Sequence, residues 1–256
     1  VYAGLPQTLK GVVMFRNAAL LPEAPATFED ILAAGDASLE QGFFFSMAHL
    51  SEACNGSLVN EDGTPAFNTP EGVCWIDLLA EFPNPYYYTD DDVDLMKQGA
   101  ASVIIDGTWN ASGIAEAIGE ENLVIDPWPA GATGNLSGVV QTESIYSGNN
   151  TMDESLDAAV AFTEYFLGAE AQTTLADPTK AGHIPAVSGV EVEGAIQSQA
   201  LAAFEAGITQ PRFGGCYWGQ MDAALQAYFG GGMDAATALQ SAEDGINNAI
   251  AAGECN

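Results

Sequence analysis

Residues 95–110, Leu-Met-Lys-Gln-Gly-Ala-Ala-Ser-Val-Ile-Ile-Asp-Gly-Thr-Trp-Asn, constrain the fold more tightly than any other stretch of this chain. They predict the last turn of a helix, a stop at Gly99, a strand over 102–105 and a turn that carries Trp109. Gly99 suits the position just past a helix, where a left-handed residue is favoured. The strand is short, continuous and β-branched, as expected when both faces of a sheet are covered. In open α/β sheets, ligands bind beyond the carboxyl ends of such strands. A Trp there offers a flat apolar face with a polar N–H, suited to stacking on a sugar ring. The alternative for Trp109 is an ordinary core or rim position.

The rest of the chain alternates in the same way, with isolated strands between helices, which predicts an α/β fold. Thr27, followed by an acid at Asp30, opens a helix that reaches Ala34 or runs on to Leu39. Phe43-Phe44-Phe45-Ser46 reads as a strand or tight loop ahead of a helix over 47–53. Thr69-Pro70-Glu71 is a strong helix opening. Further strands are expected at 12–15, 122–125 and 139–146. Further helices are expected at 93–98, 155–167, 169–175, 195–206, 217–229 and 234–251. The acids Asp90, Asp91 and Asp92 lack the spacing and central Gly of a calcium loop and are read as helix-dipole partners.

The formal charge is −30, from 35 acidic and 5 basic residues. Phosphate-backbone recognition needs clusters of Lys and Arg, so a nucleic-acid partner is excluded, and attraction to anionic lipid is equally poor. So acidic a surface repels itself at low salt and is screened at high salt. Two origins fit: a salty habitat, or an ordinary acidic exported protein. No apolar run is long enough to span a membrane.

There are four cysteines, none in a C-x-x-C pair, and the two histidines, His49 and His183, are far apart in sequence, so no metal site is expected. The even count favours disulfides in an exported chain. Cys216 precedes one predicted helix and Cys255 follows the next. An antiparallel helix pair would bring those ends together, leaving Cys54 for Cys74. Four buried free thiols are the alternative.

Several segments, in order, resemble the family 1 extracellular solute-binding proteins, the maltose-binding-protein type that serves ABC importers. They are Gly4-Leu5-Pro6 with Met14-Phe15-Arg16-Asn17, Ala24-Pro25-Ala26-Thr27-Phe28-Glu29-Asp30, Gly107-Thr108-Trp109, Gly168-Ala169-Glu170-Ala171-Gln172, Gly182-His183-Ile184-Pro185 and Cys216-Tyr217-Trp218. The resemblance implies a periplasmic-binding-protein-like fold of type II, with two lobes around a hinged cleft. Residues 1–11 would be a crossover segment, 12–122 the second lobe, 123–128 a hinge crossing, 129–190 the return segment of the first lobe, and 191–256 helices back in the second. On the order of 100 further residues, within the usual domain size range, would precede Val1 and complete the first lobe.

The resemblance also implies roles for particular residues. Trp109, Trp218 and Tyr217 match cleft aromatics, and Phe45 falls near another. Lys10 stands at a hinge-side ligand contact where the family has an acid, and Asp222 stands where it has an Arg. Thr108, Asn110, Thr142, Glu143, Tyr146 and Gln220 are polar rim candidates, with loop capping as the alternative for each. The function implied is capture of a carbohydrate by hinge closure, without catalysis or cofactor, and delivery to importer subunits at the cell surface or in the periplasm, with a lipid anchor or secretion as the route. A polar non-sugar solute, or an abundant surface protein that keeps the fold for assembly, are the alternatives. A glycoside hydrolase would need two carboxylates in a distinctive motif, and none is evident.

Overall fold

The computed structural model describes residues 4–40, 42–82, 84–86, 91–131, 133–145, 153–178 and 182–255. The rim candidate Tyr146 lies outside the described residues, as does Asp90 of the acidic run.

One strand organises the molecule. β1 (Leu5–Asn17) pairs along its carboxyl half with β4 (Val103–Gly107) and β5 (Leu123–Asp126), and along its amino half with β6 (Val139–Ile145) and β7 (Ile184–Pro185), always antiparallel. β2 (Ser38–Glu40) lies parallel between β3 (Asn84–Tyr86) and β4, and β8 (Ile208–Thr209) runs parallel to β6. The order is β3-β2-β4-β1-β6-β8. Sequence pattern picks out only the buried 12–15 part of β1, because the amino half is largely half-exposed.

Successive residues of a strand point to opposite faces. Val12 and Met14 therefore enter one core, and Val13 and Phe15 the other. The first core gathers α2 (Phe43–Glu52), α3 (Pro70–Ala80), α9 (Cys216–Phe229) and α10 (Ala235–Ala252) around Trp75, Phe67 and Leu239. Trp75 donates its indole N–H to the Ser46 carbonyl at 2.9 Å, so the largest buried ring is satisfied. The second core packs α4 (Asp91–Lys97), α5 (Ala111–Ile118) and α8 (Ala195–Glu205) on the opposite face, through Met96, Ile114 and Phe204. Gly99, with φ of 69°, ends α4 as expected.

Side-chain caps set some of the helix starts, at Thr27, Thr69 and Asp234. Thr27 and Asp30 form a reciprocal capping box at α1 (Phe28–Ala34), and Thr69 accepts from the Gly72 N–H at α3. The first helix ends at Ala34, the shorter of its two expected ends; Leu39 lies in β2, where Ser38, Leu39 and Glu40 are all buried in the sheet. Phe43-Phe44-Phe45 is neither strand nor loop: α2 begins at Phe43, whose N–H donates to the Asp222 carboxylate at 3.2 Å. The cap that Gly42 cannot supply comes from α9.

Both expected disulfides are present. Cys54–Cys74 ties the end of α2 to α3, and Cys216–Cys255 clasps the start of α9 to the end of α10. Arg16 and Asp126 form a buried bidentate pair at 2.5 and 3.1 Å, and Arg16 also donates to the Leu21 and Pro22 carbonyls. α6 (Asp153–Phe166) and α7 (Ala169–Ala176) follow β6. On α6, Leu156, Val160, Phe162 and Tyr165 are exposed. Among the described residues, no helix is long and apolar enough to cross a membrane.

Candidate functional site

Beyond β4 the backbone makes one tight turn, Thr108–Asn110, before α5. Its polar side chains hold it in place. Asp106 accepts from the Gly107 N–H and from Asn110 Nδ2, and Thr108 Oγ1 accepts from the Gly11 N–H of β1. Trp109 is thereby fixed at the rim with 47 % of its surface exposed. Its indole folds back over Gly107, where any side chain would collide with the ring.

Trp109 does not stand alone. Its ring centroid is 6.2 Å from that of Phe44 and 6.3 Å from that of Phe45, both in the first turn of α2. Phe44 lies 6.4 Å from Trp218 in α9, and Trp218 packs on Phe43 at 5.4 Å and Phe213 at 5.1 Å. The predicted aromatics Trp109, Phe45 and Trp218 thus belong to one surface. Phe44, which sequence reasoning passed over, is the ring between the two tryptophans. The Phe triplet was its only signal. The Phe43–Asp222 hydrogen bond couples the two helices beneath this surface. Burial raises the pKa of Asp222, partly offset by that hydrogen bond.

Other candidates are placed elsewhere. Tyr217 is a core residue: it is fully buried against Phe67 and Phe213, its hydroxyl donates to the Gly63 carbonyl at 3.0 Å, and burial pushes its pKa up to about 12. Gln220 faces α10, where its side chain packs on Gly245. Thr142 pairs with Ser144 on β6. Asn110 spends its amide on the turn.

Trp109 and Thr108 also line a cavity of about 630 Å³, shared with β1, β6, β7, α5 and α8. In its wall Lys10 donates to Glu143 at 2.7 Å, and Thr8 donates to the other carboxylate oxygen at 3.4 Å. The hydrogen bond from Lys10 holds the Glu143 carboxyl below the usual range, against some desolvation, with smaller help from Thr8 and His183. His183 lines the same cavity, with Nδ1 shut away and unpartnered among the described residues.

One further group could in principle hold a metal ion. Glu40, Asp92 and Asp106 are buried, with one carboxylate oxygen from each within 4.8 Å of the others. Asp92 accepts from the Val93 N–H, and Asp106 is engaged in the Trp109 turn.

The sequence model of the bacterial extracellular solute-binding proteins matches residues 1–205. No curated protein sequence matches. Among solved structures, the fold is similar to the maltose/maltodextrin-binding domain MalE from Bdellovibrio bacteriovorus, bound to maltotriose, with a TM-score of 0.84 at 16 % identity over 98 % of this chain and 74 % of that one. It is also similar to T. maritima MalE3, bound to maltose, with a TM-score of 0.81 at 14 % identity over 96 % and 72 %. An ABC transporter solute-binding protein from Thermotoga lettingae, bound with α-D-tagatose, gives 0.74 at 18 % identity over 96 % and 72 %.

Proposed function

Since the chain belongs to the bacterial extracellular solute-binding proteins, we propose that it captures a carbohydrate against Trp109 and presents it to an ABC importer. The observation that carries this reading is the half-exposed indole of Trp109, set in line with Phe44, Phe45 and Trp218 at the carboxyl end of β4. Aromatic faces fixed in this way match the apolar face of a sugar ring, and Glu143 and Thr108 can accept from its hydroxyls. The sugars bound by the similar structures support the same ligand class.

The reading assigns residues 12–122 and 191–256 to one lobe and 129–190 to part of a second, with 1–11 and 123–128 as crossings. The four exposed apolar side chains of α6, Leu156, Val160, Phe162 and Tyr165, are consistent with this division, since large apolar groups in such number are seldom left in water. No catalytic step belongs to it.

The test is titration calorimetry of the chain with maltotriose, maltose and tagatose, repeated on Trp109→Ala and Trp218→Ala. At least one sugar should bind, with affinity falling tenfold or more in Trp109→Ala, the scale of a stacked aromatic at about 1–3 kcal/mol. Unchanged affinity in both variants overturns the reading.

A further inference from the structure

The two helices α9 and α10 are held in unlike ways. α10 has a side-chain cap at its start, where Asp234 accepts from the Thr237 N–H at 2.8 Å, and a left-handed stop at Gly253. α9 starts after Gly215, which brings no side chain to cap the first turn. A helix start without a side-chain cap is short of acceptors and frays more easily. Yet this turn carries Trp218. One turn further on is Asp222, which caps α2 beneath Phe44 and Phe45. The head of α9 thus places every ring of the aromatic surface except Trp109.

What meets that head is the far end of α10. Cys216, the first residue of α9, is bonded to Cys255, just past the Gly253 stop. The seat is close. A β-carbon on Gly214 would stand 2.4 Å from the Cys255 carbonyl oxygen and 2.5 Å from its sulfur. The Gly214 carbonyl in turn accepts from the Tyr217 N–H at 3.1 Å, which ties the seat to the first turn of α9.

We infer that the Cys216–Cys255 disulfide is a positioning element of the sugar-binding surface. It holds the first turn of α9 so that Trp218, and through Asp222 also Phe44 and Phe45, stay in register with Trp109. This role rests on the carbohydrate reading above and goes beyond it: the covalent bond does the work of the side-chain cap that α9 lacks. Cys54–Cys74 has no such role, because Cys54 lies past the end of α2, at the opposite end from Phe44 and roughly 15 Å along the helix.

The experiment is calorimetry with the tightest-bound of maltotriose, maltose and tagatose. It compares the wild type, Cys216→Ser/Cys255→Ser and Cys54→Ser/Cys74→Ser, at a temperature where circular dichroism shows each to be folded. Loss of the Cys216 bond should weaken binding at least fivefold, and loss of the Cys54 bond less than twofold, although each variant lacks one disulfide. Combined with Trp218→Ala, the Cys216 variant should fall at least threefold short of the product of the separate losses, which a general loosening of the fold would not produce. Gly214→Ala keeps the bond but crowds Cys255, and should weaken binding at least threefold. It carries the test if the Cys216 variant does not fold. Wild-type affinity in the folded Cys216 variant, or in Gly214→Ala where that variant does not fold, overturns the inference while the carbohydrate reading stands. So do equal losses from the two disulfides, or losses fully additive with Trp218→Ala. A wild type that binds none of the three sugars overturns both.

Discussion

The indole of Trp109 rests on the backbone of Gly107, so that a β-carbon there would stand 2.0 Å from ring carbon Cζ2. The glycine of the Gly-Thr-Trp turn is therefore a matter of space. Its φ of −79° is open to any residue. Gly107→Ala should swing the indole off its seat and cost about 1–3 kcal/mol, as overpacking does. Urea unfolding checks the stability, and the tryptophan emission spectrum checks the ring. A variant with wild-type stability and emission would show that the ring does not need this seat.

Asp222 caps a helix from another helix. Asp222→Ala should cost about 0.5–2 kcal/mol, the scale of a lost N-cap, whereas Asp222→Asn, which keeps a carbonyl oxygen in place, should lose less than half of that. Because the cap also fixes the first turn of α2, carrying Phe44 and Phe45, the Ala variant should weaken sugar binding as well. Equal losses in the two variants would point to the charge instead of the hydrogen bond.

The clasp between Cys216 and Cys255 spans 39 residues. Replacing both by Ser should lower unfolding stability by about 2–4 kcal/mol. The loss should fall on α9 and α10 together, since each packs along the other. Hydrogen exchange on that helix pair, with and without the bond, measures it.

His49 is fully buried, and desolvation lowers its pKa to about 4 from 6.5. Its Nδ1 accepts from the Ser137 N–H, so the ring is held neutral. The unfolded chain takes up the proton first. Stability from this residue is complete above about pH 6.5 and is lost as pH falls toward 4, by up to about 3 kcal/mol. The difference in melting temperature between the wild type and His49→Gln should shrink over that window. A difference constant from pH 7 to 4.5 would contradict the assignment.

Features encoded within a few residues were legible from the sequence: the caps at Thr27 and Thr69, the stop at Gly99, the strand of β4 and the turn that carries Trp109. The cysteine pairing followed from the order of two helices. What escaped depends on distant partners. The start of α2 at Phe43 is set by a carboxylate from α9, so no local pattern could announce it. Tyr217 and Trp218 are adjacent and equally aromatic. Neighbours on a helix point about 100° apart, and packing alone decides which enters the core. The role of Phe44 exists only once α2, α9 and the Trp109 turn are assembled.

The double duty of β1 bears on how the chain reaches this state. Its residues pair with partners far along the sequence, Phe15 with Ile104, Lys10 with Gln141 and Leu9 with Ile184, and they seed both cores at once. Neither core can close until those distant segments have returned to the same strand. Closing such large loops costs entropy before any contact repays it, and chains rich in long-range pairings fold slowly. The docking of β6 and β7 onto β1 closes the longest of these loops. Until it occurs, the strand stands with unpaired edges, open to pairing with the wrong neighbour.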